Sequence, residues 1–318
     1  MSRIMKLLAA VLALTMLASA CGDDDTAASG DLPTVAVTTN ILADVVTQLA
    51  GGTVEVVTVM PVGADPHDFQ ASAQQAAAMR TADVLIVNGG SFEEGLLDVI
   101  EGAESDGVNV YEAMSVVSTI EFGHDDHDDH DDHSGHDHSG VDPHFFTDPA
   151  RMAAAVDGIA AFLIANVAGI DADIVTEAAE AYHEELEALD AEVAALVAGI
   201  PAENRVLITN HEVFGYFADR YGFEVAGAII PGGTTLDGTS AGDLAELAEL
   251  ITNEGVPAIF SDASASDQLA QTLAGEVGGV VQVVELFTES LGDNDSEGAT
   301  YIDMVRTNAT RIAEALAS

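Results

Sequence analysis

Short runs of β-branched and aliphatic residues alternate along this chain with longer stretches in which apolar positions recur every three or four residues. The first run, 34–39, predicts a strand; Asn40 predicts an N-cap for an amphipathic helix over 41–50, closed by Gly51-Gly52. A strand over 53–59 then feeds the loop Met60-Pro61-Val62-Gly63-Ala64-Asp65-Pro66-His67. Helix 72–81, strand 84–88, helix 91–101 and strand 108–111 continue the alternation. Strands separated by helical crossovers predict βα units on a mainly parallel sheet.

Between 121 and 141 the pattern stops. His124, His127, His130, His133, His136 and His138 lie there among seven aspartates, with almost nothing apolar. Such a segment cannot bury enough surface to fold by itself and is expected to be a mobile loop. Helix resumes after Thr147-Asp148-Pro149 and runs to about 167. The next helix, 172–197, places Leu186, Leu189, Val193, Leu196 and Val197 at the spacing of one face. Its 26 residues at ~1.5 Å each reach roughly 39 Å, enough to run along a small domain, and Pro201 stops it.

Beyond it the alternation restarts, with strands over 205–209, 223–230, 258–261 and 280–284 and helices over 213–221, 241–254, 266–277 and 300–317. The expected fold is α/β, two lobes with mainly parallel sheets joined by one long rigid helix. The lobes are expected over 33–170, including the loop 121–141, and over 200–318, with the linker helix at 171–199. At 48% hydrophobic residues in 318, there is material for a core in each lobe.

The first residues follow a different rule. Arg3 and Lys6 precede an apolar run from Leu7 to Leu17, and Ala18-Ser19-Ala20 lead into Cys21, which reads as a signal peptide over 1–20. Cys21 is the sole cysteine, so neither an intrachain disulfide nor a thiolate metal site can form. Its setting resembles a bacterial lipobox, in which the cysteine is lipidated; plain cleavage and a soluble secreted product is the other reading. The small polar residues of 21–32 suit a flexible tether. The product is expected outside the cytoplasm, on the outer face of the cell membrane or in a periplasm.

Charge narrows the partners. Eight basic residues face 55 acidic ones, a net charge of -47, and the chain beyond the signal has no lysine. Nucleic acid, whose phosphates need the opposite sign, is excluded as a partner, and without lysine no P-loop can exist. A field this negative gathers cations, although acidic surfaces also serve solubility in high salt.

The candidate chemistry lies in three histidines. Asp65-Pro66-His67-Asp68-Phe69 returns as Asp142-Pro143-His144-Phe145-Phe146, and His211 follows a strand in Thr209-Asn210-His211-Glu212. His67 also leaves the carboxyl end of a strand, where ligands of open α/β sheets bind. Neutral imidazole is a common ligand for zinc and related ions. The two aspartates can receive the second ring N–H of a histidine and fix its orientation, while proline stiffens the turn. His183, on the long helix, reads as a solvated surface residue.

Five blocks fall in order along nearly all of the chain beyond the signal. They are Pro61 to His67, Asn88-Gly89-Gly90, Asp142 to Pro149, Asn210 to Gly222, and Phe287-Thr288-Glu289-Ser290. With them the sequence resembles the zinc- and manganese-binding solute receptors of bacterial ABC importers. The resemblance implies two α/β lobes with a long connecting helix and a metal ion bound in the cleft between them. It also implies His67 and His144 as ligands from the first lobe and His211 as the third, where imidazole resembles the zinc members and glutamate the manganese members. The fourth position, usually aspartate or water in the family, falls on Glu289. The histidine tract resembles a loop of the zinc members, an accessory weak site that either captures zinc and passes it inward or senses excess metal. A membrane permease and its ATPase are the implied partners, and a monomer the implied state.

Other readings are a manganese or iron receptor of the same family, a zinc hydrolase with Glu212 or Glu289 as base, and a metal buffer whose working part is the tract. Three nitrogens and one carboxylate favour tetrahedral zinc. Two local likenesses fail: Gly215 stands where a zincin motif from His211-Glu212 needs histidine, and Met304 where an EF-hand loop from Asp293 needs glutamate. A non-enzymatic receptor is the expected function.

Overall fold

Four strands, β1 (Thr34–Val37), β2 (Glu55–Thr58), β3 (Val84–Val87) and β4 (Asn109–Glu112), pair in the order β2-β1-β3-β4, every pairing parallel. This is a computed structural model, and it describes residues 32–50, 52–122, 140–278 and 281–317. All four residues of β3, Val-Leu-Ile-Val, are buried, as the unbroken apolar run of a strand covered on both faces requires. The connecting helices are α1 (Asn40–Ala50), α2 (Ala73–Thr81) and α3 (Leu97–Ser105).

Two local readings are corrected. Asn40 is the first residue of α1 and does not cap it; Thr39 accepts the Leu42 N–H instead, at 3.2 Å. The Asn40 side chain is buried and crosses the molecule to Ser290 and Leu291. The helix expected over 91–101 begins only at Leu97, after a 3-10 turn at Glu94–Leu96. Gly89, Gly90 and Ser91 all have positive φ, which no helix accepts, and Glu93 turns inward. Its buried carboxylate accepts from the Thr38 hydroxyl and the Asn88 N–H, both at 2.6 Å.

Past the histidine tract come α4 (Pro149–Asn166) and α5 (Ala172–Ala198). Asp148 and Asp171 cap them, the first accepting from Ala150 N–H at 2.8 Å and the second from Asp173 and Ile174. α5 buries one stripe: Val175, Ala179, Tyr182, Leu186, Leu189, Val193 and Val197.

The second half pairs β5 (Val206–Thr209) with β6 (Glu224–Ala228), and β7 (Ala258–Asp262) with β8 (Gln282–Leu286), both parallel, with β5 beside β7. The helices here are α6 (Gly215–Tyr221), α7 (Ala241–Glu254), α8 (Gln268–Glu276) and α9 (Tyr301–Leu316). β8 lies two residues later than the expected 280–284. Among the described residues no helix is long and apolar enough to cross a membrane.

The core is not divided as composition alone suggests. Each half has an outer cluster of its own, around Leu85 and Met79 in one and Ile259 and Ile251 in the other. The largest cluster is shared, running from Val37 and Leu42 through Leu186 and Leu189 to Phe260, Leu286 and Ile312. α5 packs on α1, α4 and α9, so the connecting helix is a common wall. At the start of α9, Tyr301 donates its N–H to Asp44 and its hydroxyl to the Phe146 carbonyl, at 2.9 and 2.8 Å. Residues from Pro33 onward accordingly form one compact unit.

Candidate metal centre

His67, His144, His211 and Glu289, distant in sequence, meet at one buried point; the most exposed of them is His67, at 2%. His67 ends the loop after β2, where Asp65 accepts the His67 N–H at 2.9 Å and the Phe69 N–H returns to the Asp65 carbonyl. His144 sits on a matching turn, with Asp142 Oδ1 accepting its N–H at 2.9 Å. His211 follows β5, and its carbonyl accepts the Thr209 hydroxyl at 2.6 Å. Glu289 lies three residues past β8 and is held from across the molecule, because the adjacent Ser290 hydroxyl accepts from Asn40 Nδ2 and the Gly63 N–H at 2.9 and 2.7 Å.

The three rings form a near-equilateral set, with centroids 5.7, 5.7 and 5.4 Å apart. Phe92 stands edge-on to His67 and His144, and Phe122 also faces His144, so the surrounding wall is apolar. The Nε2 atoms of His67, His144 and His211 lie 2.8, 3.3 and 3.1 Å from a single oxygen, Glu289 Oε1. A tetrahedral zinc ion with bonds of ~2.0–2.1 Å has donor-to-donor edges of about 3.3 Å, so this packing of donors suits a small ion. Glu289 Oε2 is buried without a hydrogen-bond partner among the described residues, which leaves the carboxylate a second oxygen to offer.

The outer contacts divide unevenly. Asp142 Oδ1 also takes the Nδ1 of His144, at 2.7 Å, as the repeated phrase suggests. Asp65 does not do this for His67: its oxygens serve the His67 backbone and the Thr235 hydroxyl. Glu94 takes the Nδ1 of His67 instead, at 3.0 Å. An Nδ1–H donated outward leaves the Nε2 lone pair aimed at the centre.

Electrostatics follow from burial and pairing. Burial lowers the pKa of His67, but hydrogen bonding to Glu289 and its charge reverse the balance and the net shift is upward. For His144 burial is likewise outweighed, by Asp142 first and Glu289 second, and the ring is raised to about 9. Burial alone would raise the pKa of Glu289, yet the charge on His211 and the hydrogen bonds of all three rings hold it well below the ordinary carboxylate range. Asp262, at the end of β7, is raised by its own burial and by the Glu289 charge.

Of the residues singled out from sequence, the four above converge. His183 lies apart on α5, 3.5 Å from Asp157 and 3.6 Å from Glu187. His124, His127, His130, His133, His136 and His138 lie outside the described residues, as does Cys21. Sequence reading missed Glu94, Asn40's link to Ser290, and Asp262. Only Asp262 carried a usable signal, a charge at the carboxyl end of an apolar strand, where open α/β sheets bind their ligands.

Fold and donor set together define an α/β protein with a buried three-histidine, one-carboxylate cluster able to hold a divalent metal ion. The sequence profile of the family described as Zinc-uptake complex component A, periplasmic, matches residues 35–315, and the chain belongs to that family. It is 33% identical over 321 residues to the Zinc-binding protein TroA of Treponema pallidum (strain Nichols), covering 98% of each chain. It is 30% identical over 317 residues to the Manganese-binding lipoprotein MntA of Bacillus subtilis (strain 168), again covering 98% of each. The Manganese ABC transporter substrate-binding lipoprotein PsaA of Streptococcus pneumoniae is 28% identical over 318 residues, covering 99% of each. The solved structure of the periplasmic TroA superposes with a TM-score of 0.80 at 30% identity, over 90% of this chain and 100% of that one. The class is thus the metal-binding, substrate-binding component of ABC transporters, with relatives named for zinc and for manganese.

Proposed function

We propose that this chain is the extracytoplasmic receptor of a zinc importer, capturing Zn(2+) with His67, His144, His211 and Glu289 and delivering it to a membrane permease driven by an ATPase. The observation that carries the reading is the approach of three Nε2 atoms to one carboxylate oxygen at 2.8–3.3 Å in a buried, aromatic-walled site. Three imidazoles and one carboxylate suit tetrahedral zinc, whereas manganese favours a set richer in oxygen. A carboxylate that closes the tetrahedron takes the position a hydrolytic water would need, which favours capture over catalysis.

The histidine tract gathers zinc weakly in this reading. A cleft of ≈ 840 Å³ beside its two ends is lined by Glu121, Asp142, Glu212, Asp219 and Glu224 among others, an acidic approach to the His144 side. Residues 1–20 are removed as a signal, Cys21 carries lipid, 21–32 tether a monomer to the outer face of the membrane, and α5 divides the lobes 33–170 and 200–318.

The test is competitive titration of the metal-free chain with zinc and manganese, alongside His67→Ala, His144→Ala and His211→Ala. Each substitution is expected to weaken zinc binding by more than the roughly 10–100-fold typical of losing an outer partner. Preference for manganese would overturn the choice of ion, and unchanged binding in any variant would remove that histidine from the site.

A further inference from the structure

Two of the three histidines hand their Nδ1 to a carboxylate, His67 to Glu94 and His144 to Asp142. The third does not: His211 Nδ1 is buried with no hydrogen-bond partner among the described residues. On the same side of the site stands Asp262, only 3% exposed. Its Oδ1 accepts from the Ser264 N–H and hydroxyl, both at 2.8 Å, whereas Oδ2 is buried and makes no hydrogen bond of ordinary geometry among the described residues, its polar neighbour being the Thr288 hydroxyl, which is itself unpartnered. The topology places these two atoms on neighbouring supports. β7, which Asp262 ends, lies between β5, which leads into His211, and β8, which leads into Glu289. The charges of Glu289 and His211 both act on Asp262, in opposite directions.

We infer that Asp262 is the outer carboxylate of His211, its Oδ2 accepting the His211 Nδ1–H when a metal ion occupies the centre. A cation on Nε2 makes the opposite N–H of an imidazole a stronger donor, and it also offsets the repulsion between Asp262 and Glu289. Loading thereby gives each ligand histidine a carboxylate behind it, and Asp262 acts as a positioning residue that touches no metal. The inference rests on the reading of His67, His144, His211 and Glu289 as ligands.

Asp262→Asn separates this role from a purely structural one, because the amide keeps the shape and can still accept from Ser264. In the full-length chain, zinc affinity measured by competition with a chromogenic chelator is expected to fall about 10–100-fold. The melting temperature of the metal-free protein is expected not to fall, since a charge beside Glu289 has been removed. In a His211→Ala background the same substitution should change affinity by less than about twofold, the partner being gone. If His211→Ala weakens zinc binding and Asp262→Asn does not, the inference is overturned and the site stands. If His211→Ala itself leaves affinity unchanged, the ligand assignment fails first.

Discussion

Zinc capture by this site should depend steeply on pH, and the structure sets the direction and the window. A proton on His144 competes with metal, because a protonated imidazole has no lone pair to give. Burial pushes the His144 pKa down from its ordinary 6.5, but Asp142, at 2.7 Å from Nδ1, and Glu289 push harder, and the ring titrates at about 9. At pH 7 such a group is neutral in only about one molecule in a hundred, and each pH unit is worth ~1.4 kcal/mol. Apparent zinc affinity is therefore expected to rise about tenfold per unit from pH 7 to 9, ~2.7 kcal/mol in all, then level off. His67, also raised, adds to the slope.

Stability of the metal-free protein runs the other way. A folded pKa above the unfolded value gives stabilisation fully present below about 6.5 and lost as pH climbs through about 9. The melting temperature of the metal-free chain should fall over that window while the zinc-loaded chain holds, so the gap between them widens. Chelator competition from pH 7 to 9.5, corrected for the chelator's own protons, measures the slope. Calorimetry in two buffers of different ionisation heat counts the protons released, with about one or more expected per zinc at pH 7.5. A flat affinity across the window, or no proton release, would refute the reasoning.

Two further outcomes are expected. Gly95→Ala drives a methyl group into the Phe69 carbonyl, in the loop that presents His67, so the turn bearing Glu94 must shift; thermal unfolding should show a loss of about 1–3 kcal/mol, with weaker zinc binding. Deleting residues 124–138 should leave the main site's affinity within about twofold, since imidazoles crowded by carboxylates hold their protons and compete poorly for metal; a collapse in affinity would place the tract inside the site.

The alternation of strands and helices is legible because their apolar periods, two and about 3.6, differ so plainly, and the buried β3 and the striped α5 are its clearest cases. His67 and His211 stand out because they follow strand ends, where ligands of open α/β sheets bind, and His144 because it repeats the Asp-Pro-His phrase. The misread segment, 91–101, has a helical composition in Leu96, Leu97, Val99 and Ile100, but Gly89, Gly90 and Ser91 take positive φ and Glu93 finds buried donors. A local window cannot see those donors. Asn40 shows the same limit: it looks like a cap to its neighbours, yet its partners Ser290 and Leu291 lie some 250 residues away. The exchange of Asp65 for Glu94 behind His67 is of that kind too: Glu94 lies 27 residues from His67, and Asp65 Oδ2 is engaged by the hydroxyl of Thr235 from the other half of the chain.

The shared helix α5 bears on selectivity in a way its burial alone does not suggest. Leu186, Leu189, Val193 and Val197 belong to the core cluster that also holds Val37 below the first sheet and Phe260 in the second. The helix is thus a gauge block: its packed face fixes the separation of the supports that carry His67 and His144 on one side and His211 and Glu289 on the other. A change of side-chain volume on that face, remote from every donor, is expected to shift those supports relative to one another. Substitutions on α5 are thus expected to register in metal binding although none of its residues is among the four donors.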